Sequence, residues 1–244
     1  MSLKRWEPAA AVNAPHAQIE YVIRGVDHRR DSADVVDVAF EAVDKVRTPK
    51  SWKHKKNYMG QYWAATTGRH VWFESLYERV ALMQMDRDPA VAAISSQPLW
   101  IDWAGTPRRH APDFFVRFRD GSAAVIDVKP LPRIEADDVE AFDWTSALCG
   151  ELGWDYFVVH DISESEGRNL RFLSGYRYDR WRDLASVDVL RAHSGVSGRL
   201  SEWASLLEGV SAQPLGAVYS ALWWRDLVFD SSRRLSLTTV AKAA

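Results

Sequence analysis

Two aspartates and a lysine in one short stretch of the chain have the types and the spacing to perform chemistry. Asp127 and Lys129 are two residues apart in a β-rich run, so their side chains leave the same face of a strand. Asp113 precedes the other β-rich run of this hairpin, which turns at Asp120-Gly121. Carboxylates placed in this way suit Mg²⁺, or alternatively Mn²⁺, and hydrolysis of a phosphodiester, with the ammonium group orienting water or stabilising negative charge. The simpler alternative is a solvated hairpin whose Asp and Lys side chains form surface ion pairs.

The length of the hairpin loop decides whether Asp113 joins the other two side chains. A two-residue loop would pair Asp113 with Val128, on the wrong face of the sheet. A three-residue loop with Gly121 in the left-handed conformation would pair it opposite Lys129 or Asp127. This second register also gathers a set of apolar residues on one face, namely Phe114, Val116, Phe118, Ala124, Ile126 and Val128. The apolar pattern therefore predicts the register that brings the charges together.

Strand-like and helix-like segments alternate around this hairpin, which indicates an α/β sheet with helices against its faces. The sequence predicts a hairpin over 62–73, a helix over 74–86, a strand over 97–103, a helix over 135–149 and a strand over 154–160. The chain up to about Lys56 shows no such pattern, and we expect it to be irregular.

The character of the chain changes after Asp161. Residues 169–181 are rich in Arg and Tyr and are expected to lead away from the sheet. Three short helices over 184–193, 200–207 and 214–225, followed by strands over 227–229 and 235–239, are typical of a winged helix. The predicted domains are an N-terminal lead-in over 1–57, a central domain over 58–180 and a small winged-helix-like domain over 181–244.

Composition excludes several classes of protein. The chain has 31 Lys and Arg against 33 Asp and Glu, so it does not coat DNA through bulk positive charge. A local basic run over 45–56 could follow a phosphate backbone, or it could be a solvated loop. Cys149 is the single cysteine, which excludes a disulfide framework and a cysteine-based zinc site. No apolar run is long enough to span a membrane, and we expect a cytoplasmic protein.

The motifs resemble those of a known family. Pro112-Asp113, a spacer of 13 residues and Asp127-Val128-Lys129 form the PD-(D/E)xK pattern of restriction-enzyme-like nucleases. The surrounding sequence resembles the N-terminal catalytic domain of TnsA-type transposon endonucleases over about residues 45–180. The segments that carry this resemblance are Glu74-Ser-Leu-Tyr-Glu78, Asp88-Pro89, Gln97-Pro98-Leu99, His110-Ala-Pro-Asp-Phe-Phe-Val116 and Val125-Ile-Asp-Val-Lys-Pro130.

The resemblance implies a restriction-endonuclease-like mixed sheet and a role for each motif residue. Asp113 matches the metal-binding aspartate, Asp127 a second metal-proximal position and Lys129 the catalytic lysine. Some TnsA proteins have Gln at the position of Asp127. For the helix glutamate we choose Glu78 as catalytic residue and metal ligand, because its spacing to Gln97-Pro98-Leu99 fits the family better. Glu74 is then interpreted as a first-turn acid that stabilises the helix dipole.

The resemblance also implies an activity and partners. It indicates a Mg²⁺-dependent DNA endonuclease subunit of a heteromeric transposase, which cuts at the transposon 5′ ends beside a TnsB-like transposase subunit and a TnsC-like ATPase regulator. The alternatives are a stand-alone nuclease for restriction or repair, and a catalytically silent DNA-binding assembly protein. Gln97 and His110 could contact a ligand, but we interpret Gln97 as satisfying backbone groups at a strand start and His110 as an ordinary loop histidine.

Overall fold

The structure is a computed structural model that describes residues 4–10, 12–47 and 58–244. It divides into two compact units. The first holds the described residues up to Met85 together with Ala90–Asp161, and the second holds Asp86–Pro89 and Ile162–Ala244. The predicted boundary at 180/181 therefore differs from the division in the structure, which falls at 161/162. Most of the predicted basic run, residues 48–56, lies outside the described residues.

The first unit is built mainly from strands. In chain order its elements are β1 (Ala17–Ile23), β2 (Val26–Asp31), β3 (Gly60–Ala64), β4 (Arg69–Phe73), α1 (Leu76–Asp86), β5 (Val91–Ser96), β6 (Trp100–Trp103), β7 (Arg109–His110), β8 (Phe114–Phe118), β9 (Ala123–Val128), α2 (Ala136–Glu151) and β10 (Asp155–Val159). The hairpins, helices and strands predicted between residues 62 and 160 are all present, with ends shifted by a few residues.

A mixed four-stranded sheet lies at the centre of this unit, in the order β10-β9-β8-β5. Strand β10 runs parallel to β9, whereas β9-β8 and β8-β5 are antiparallel. Both faces of the sheet are buried, since the neighbouring residues Phe114 and Phe115 on β8 each have no exposed surface. The predicted α/β fold with a mixed, restriction-endonuclease-like sheet is confirmed.

The prediction that the first part of the chain is irregular is wrong. Strands β1 and β2 form a second four-stranded sheet with β6 and β7, in the order β2-β1-β6-β7. Strand β1 buries Ala17, Ile19 and Tyr21 in strict alternation. Its partner β2 reads Val-Asp-His-Arg-Arg-Asp and stays largely exposed, so it has no apolar pattern by which the hairpin could be detected.

Aromatic packing joins the two sheets into one hydrophobic core. Phe40, Phe115 and Trp154 form a triangle of rings whose centroids are 5.2–5.6 Å apart. Such edge-on and tilted ring contacts add to the stabilisation from apolar burial. The same core contains Ile19 of the second sheet and Cys149 of α2. The face of the mixed sheet that carries Phe115 is therefore fixed against its neighbours.

The hairpin β8-β9 has the register that the apolar pattern predicts. Phe114 is opposite Ile126, so the next pair towards the open end of the hairpin is Asp113 with Asp127. The Phe118 amide donates to Ser122 O at 2.9 Å, which leaves a three-residue loop of 119–121. Gly121 has φ +88°, the left-handed conformation that this loop requires.

The second unit has its elements in the order α3 (Glu164–Leu173), α4 (Leu184–Ala192), β11 (Ser197–Arg199), α5 (Leu200–Leu206), α6 (Pro214–Trp224), β12 (Leu227–Phe229) and β13 (Val240–Ala243). The three predicted helices are α4, α5 and α6. The predicted strand over 235–239 is wrong, because the strand that pairs with β12 lies at Val240–Ala243. Strand β11, which was not predicted, completes a sheet in the order β11-β13-β12. This order is typical of a winged helix, and that interpretation stays a prediction.

Helix α3 explains why the second unit begins earlier than predicted. Asn169 on α3 donates through Nδ2 to the carbonyl oxygens of Ser231 and Arg233, at 3.1 and 2.8 Å. Its Oδ1 accepts from the Leu235 amide at 3.0 Å. One buried side chain thus binds three backbone groups of the segment between β12 and β13. Residues 164–181 therefore pack within the C-terminal unit and do not extend the mixed sheet.

Among the described helices, none is both long enough and apolar enough to cross a lipid bilayer.

A Gly121→Ala variant tests the hairpin register. A Cβ at this position would meet open space, so the left-handed backbone alone should lower the free energy of unfolding by about 1–2 kcal/mol. Gly150→Ala is the matched control, because Gly150 lies in α2 and also faces open space, and alanine there should stabilise by up to about 1 kcal/mol. Urea denaturation measures both. Equal changes in the two variants would contradict the left-handed turn.

Candidate active site

The open end of the β8-β9 hairpin positions the predicted aspartates. Asp113 lies just before β8 and accepts through Oδ2 from the Val128 amide at 2.8 Å. Its own carbonyl oxygen accepts from the Gln97 amide at 2.9 Å, which continues the β5-β8 ladder by one residue. Asp127 is opposite Asp113, and both side chains share the sheet face of Phe115. The two carboxylates that the sequence predicts to meet are therefore on one face at one end of the sheet.

Asp127 is held by residues from two other strands. Its Oδ2 accepts from the Tyr156 hydroxyl on β10 and lies 2.8 Å from His110 Nε2 on β7. Burial lowers the pKa of His110, but the adjacent Asp127 carboxylate more than compensates, and the net pKa is raised. Burial and the same negative charge raise the pKa of Tyr156 well above its ordinary value. The phenol therefore stays protonated and donates to Asp127.

Lys129 is engaged by the first turn of α2. Its Nζ lies 2.5 Å from Asp138 Oδ2, and the two side chains are 35% and 24% exposed. Asp138 also accepts from the Glu135 amide at 2.8 Å, as part of a capping box at the helix start. Partial burial raises the pKa of Asp138, but hydrogen bonds from Lys129 and from the Glu135 amide outweigh this effect. The net pKa of Asp138 is therefore lowered. The Lys129 side chain is thereby held by this ion pair at the edge of the site.

Glu78 lies in the first turn of α1 and closes that turn. The Glu78 amide donates to Ser75 Oγ at 3.1 Å, and the Ser75 hydroxyl donates to Glu78 Oε1 at 2.8 Å. Glu78 Oε2 accepts from the Glu74 amide at 2.7 Å. Burial raises the pKa of Glu78, and the Glu74 charge adds to this effect, against the hydrogen bonds that lower it. The first-turn position that the sequence analysis assigned to Glu74 is thus occupied by Glu78.

Glu74 precedes α1, and its carboxylate contacts Gln97 and Arg47. Its Oε1 accepts from Gln97 Nε2 at 2.9 Å, and its Oε2 lies 3.7 Å from Arg47 Nη2. The interpretation of Glu74 as a first-turn acid is therefore corrected, since α1 begins at Leu76. The interpretation of the Gln97 side chain as satisfying backbone groups at a strand start is not borne out, since Gln97 follows the end of β5 and its Nε2 binds a carboxylate. It is the Gln97 backbone whose amide donates to Asp113 O and whose carbonyl oxygen accepts from the Val46 amide at 2.9 Å. Its side chain adds a contact to Glu74 that the sequence did not indicate.

The charge environment of Asp113 shows how these groups converge. Burial raises the pKa of Asp113 well above its ordinary value, and the negative charges of Glu78, Asp127 and Glu74 raise it further. The hydrogen bond from the Val128 amide only partly offsets these effects. Three predicted residues, Glu78, Asp113 and Asp127, are therefore brought into one electrostatic environment. Lys129 lies on the same hairpin but is engaged by Asp138.

A hard divalent cation at these carboxylates would be only partly bound by protein. Over residues 4–10, 12–47 and 58–244, no three His, Cys, Asp or Glu side chains form a group that could hold a metal ion. Mg²⁺ is commonly bound by one or two carboxylates, with waters and substrate phosphates as the other ligands. Mutually repelling carboxylates such as Asp113 and Asp127 meet that requirement, because a cation would relieve their repulsion. The metal-ligand roles of Glu78, Asp113 and Asp127 stay predictions.

Three contacts were not anticipated from the sequence, namely those of His110, Tyr156 and Asp138. His110 was interpreted as an ordinary loop residue, whereas it pairs with Asp127. No local pattern reveals that pairing, because it depends on how β7 and β9 approach one another. Asp138 had a detectable pattern, since it lies three residues after Glu135 at the start of a helix.

The raised pKa of Asp113 predicts how stability depends on pH in the absence of divalent cations. The unfolded chain releases this proton near the ordinary carboxyl pKa of about 4, whereas the folded protein retains it to higher pH. The folded state therefore binds more protons in this window, and the free energy of unfolding should fall as pH rises from about 4 through the raised pKa. Asp113→Asn should flatten this decline, because the amide cannot ionise. Its carbonyl oxygen can still accept from the Val128 amide, so the local structure should be retained.

Urea denaturation in EDTA, at several values from about pH 4 to about pH 8, measures this effect. Asp37→Asn is the control, because Asp37 is exposed and belongs to the same unit. A decline of equal steepness in Asp113→Asn and in the wild type would contradict the burial of this carboxylate among negative charges.

Comparison with known proteins identifies the segment that contains most of this site. The family model described as "TnsA-like endonuclease N terminal" matches residues 88–161. No curated protein matches the chain. The matched segment includes Asp113, Asp127 and Lys129, whereas Glu74 and Glu78 precede it. Residues 88–161 are therefore similar to the N-terminal domain of TnsA-like endonucleases, which is the family that the motifs resemble.

Proposed function

We propose that the protein is a Mg²⁺-dependent DNA endonuclease, the TnsA-like subunit of a heteromeric transposase, which hydrolyses phosphodiester bonds at the transposon 5′ ends. The family match over residues 88–161 supports a nuclease of the transposase type. The observation that carries the finer proposal is the position of Asp113, whose carboxyl lies in the field of Glu78 and Asp127 at the end of the hairpin.

The carboxylates account for the proposed cation dependence. Glu78, Asp113 and Asp127 would hold Mg²⁺, with Mn²⁺ as a substitute, and DNA phosphate oxygens would supply further ligands. When bound, the cation would polarise the phosphoryl oxygen and lower the pKa of the attacking water. Each aspartate uses Oδ2 for a protein contact, and no described residue donates to either Oδ1. Their Oδ1 atoms are thus available to a cation.

The other groups orient the two aspartates and stabilise the charge on the phosphate. The Val128 amide fixes the Asp113 carboxylate, and Tyr156 with His110 fixes that of Asp127. Lys129 would place its ammonium group beside the phosphate, where it stabilises the extra negative charge of the transition state. The ion pair with Asp138 orients that ammonium group. The described side chains thus supply positioning and charge.

The composition of α6 supports the proposal that partner proteins select the DNA site. In a winged helix the third helix enters the major groove and needs polar side chains to read base edges. Under the winged-helix interpretation that position belongs to α6, Pro-Leu-Gly-Ala-Val-Tyr-Ser-Ala-Leu-Trp-Trp, which has no charged residue and is largely buried. We infer that DNA ends are selected by a TnsB-like transposase subunit and a TnsC-like ATPase regulator, while this chain supplies cleavage.

Cleavage of DNA that contains the element ends tests this proposal. We expect Mg²⁺-dependent nicking that needs the partner transposase, and we expect Lys129→Ala and Asp113→Ala to lose roughly 10²–10³-fold in kcat with DNA binding retained. Lys4→Ala is the control, since Lys4 is an exposed lysine paired with Asp161. Robust cleavage without a partner would indicate the stand-alone nuclease. Full activity in Lys129→Ala would indicate the silent assembly protein.

A second prediction concerns the residue that holds the lysine. Asp138→Asn removes the charge that orients Lys129 and should lower kcat by roughly tenfold while DNA affinity is unchanged. Asp137→Asn is the matched control, because its side chain is 87% exposed on the same helical turn. Single-turnover cleavage rates separate the two variants. Equal rates for both would show that the Lys129–Asp138 contact has no part in catalysis.

A further inference from the structure

Gln97 has a backbone conformation that its residue type disfavours. Its φ is +46°, in the left-handed region where a side chain with a Cβ is strained. It follows β5 directly, at the point where the chain leaves the mixed sheet for β6. Such strained residues persist only where the surroundings hold them, and they concentrate at functional sites. A glycine would satisfy the backbone here, so the presence of glutamine indicates a use for the side chain.

Contacts on three sides hold Gln97 within the candidate site. Its backbone amide and carbonyl groups are bound to Asp113 and Val46, as described above. Its Nε2 donates to Glu74 Oε1 at 2.9 Å. An ionised carboxylate can only accept, so this contact assigns the NH₂ group to the Glu74 side and the carbonyl oxygen Oε1 to the other side.

That carbonyl oxygen has no partner among the described residues. Gln97 is 3% exposed, and its Oε1 is buried without a hydrogen bond from any residue in the described ranges. A buried acceptor of this kind is costly unless something donates to it. The Gln97 side-chain amide group contacts Glu74, and its backbone contacts that of Asp113; the carboxylates of both residues belong to the mutually repelling group. A hydrated cation among those carboxylates would bring water O–H donors to this position.

We propose that Gln97 is a positioning residue of the active site, whose Oε1 accepts a hydrogen bond from water in the hydration shell of the bound divalent cation. The inference deepens the proposed cation-dependent function and rests on it. The Glu74 carboxylate fixes the amide in the orientation that presents Oε1. The strained backbone at Gln97 is the means by which an amide at the end of β5 reaches this position.

Cation binding by variants at this one position tests the proposal, with Mn²⁺ alone as the probe in isothermal titration calorimetry. Gln97→Ala and Gln97→Gly both remove Oε1 and should each weaken Mn²⁺ binding by roughly 10–100-fold. Their melting temperatures should differ, with the glycine variant higher, because only glycine relaxes the left-handed backbone. A purely structural role would instead make Mn²⁺ affinity follow stability.

Gln97→Glu serves as the rescue variant, because it keeps an oxygen at this position. It should retain the wild-type Mn²⁺ affinity or exceed it, while the cation-free protein loses thermal stability as two carboxylates face one another. Arg24→Gly is the control for backbone strain, since Arg24 has φ +51° at the exposed β1-β2 turn. It should raise the melting temperature without changing Mn²⁺ affinity.

The outcomes separate this inference from the proposed function. If the wild type cleaves DNA but the alanine and glycine variants match its Mn²⁺ affinity, or if Gln97→Glu loses as much affinity as Gln97→Ala, the inference is overturned and the nuclease proposal stands. If the wild type neither binds Mn²⁺ nor cleaves DNA with its partners, both are overturned. Weaker Mn²⁺ binding in both truncations, with rescue by Gln97→Glu, supports the inference.

Discussion

Mutual repulsion among buried carboxylates is the constraint on which the rest of the site depends. Asp113 is surrounded by Glu78, Asp127 and Glu74, and its pKa is raised well above the usual carboxyl range. Each of these acids is held by its own donor, whether a backbone amide, a hydroxyl group or a side-chain amide. The donors preserve the arrangement at a cost in stability, since the anions would be more stable in water. A positive charge placed among these carboxylates would relieve their repulsion.

The two four-stranded sheets of the first unit are both needed to hold this arrangement. Asp127 receives Tyr156 from the mixed sheet and His110 from the sheet of β1, β2, β6 and β7. Gln97 lies between the same two sheets along the chain, after β5 and before β6. Phe40 fixes the sheets against each other, because its ring contacts Tyr21 of the second sheet and Phe115 of the mixed sheet. The packing of the hydrophobic core therefore determines the positions of the site residues.

The sequence was sufficient for features that local rules control. The register of β8-β9 followed from alternating apolar residues and from Gly121, because a one-residue shift would have placed the apolar residues of the two strands on opposite faces of the sheet. Strand β2 escaped prediction, since its polar sequence is stabilised by pairing with β1 and not by burial. The left-handed conformation of Gln97 also escaped, because tertiary contacts and not residue type impose it. Helix α3 was missed because its anchor, Asn169, binds carbonyl groups more than 60 residues away.

The parallel pairing of β9 with β10 has a consequence for the order in which the protein acquires its site. Parallel neighbours cannot be joined by a tight turn, so α2 forms the crossover between these strands. Tyr156 reaches Asp127 only once this long loop has closed. Contacts of such sequence separation form slowly during folding. A chain emerging from the ribosome would therefore complete its local hairpin early and become competent for chemistry late, after the crossover has docked.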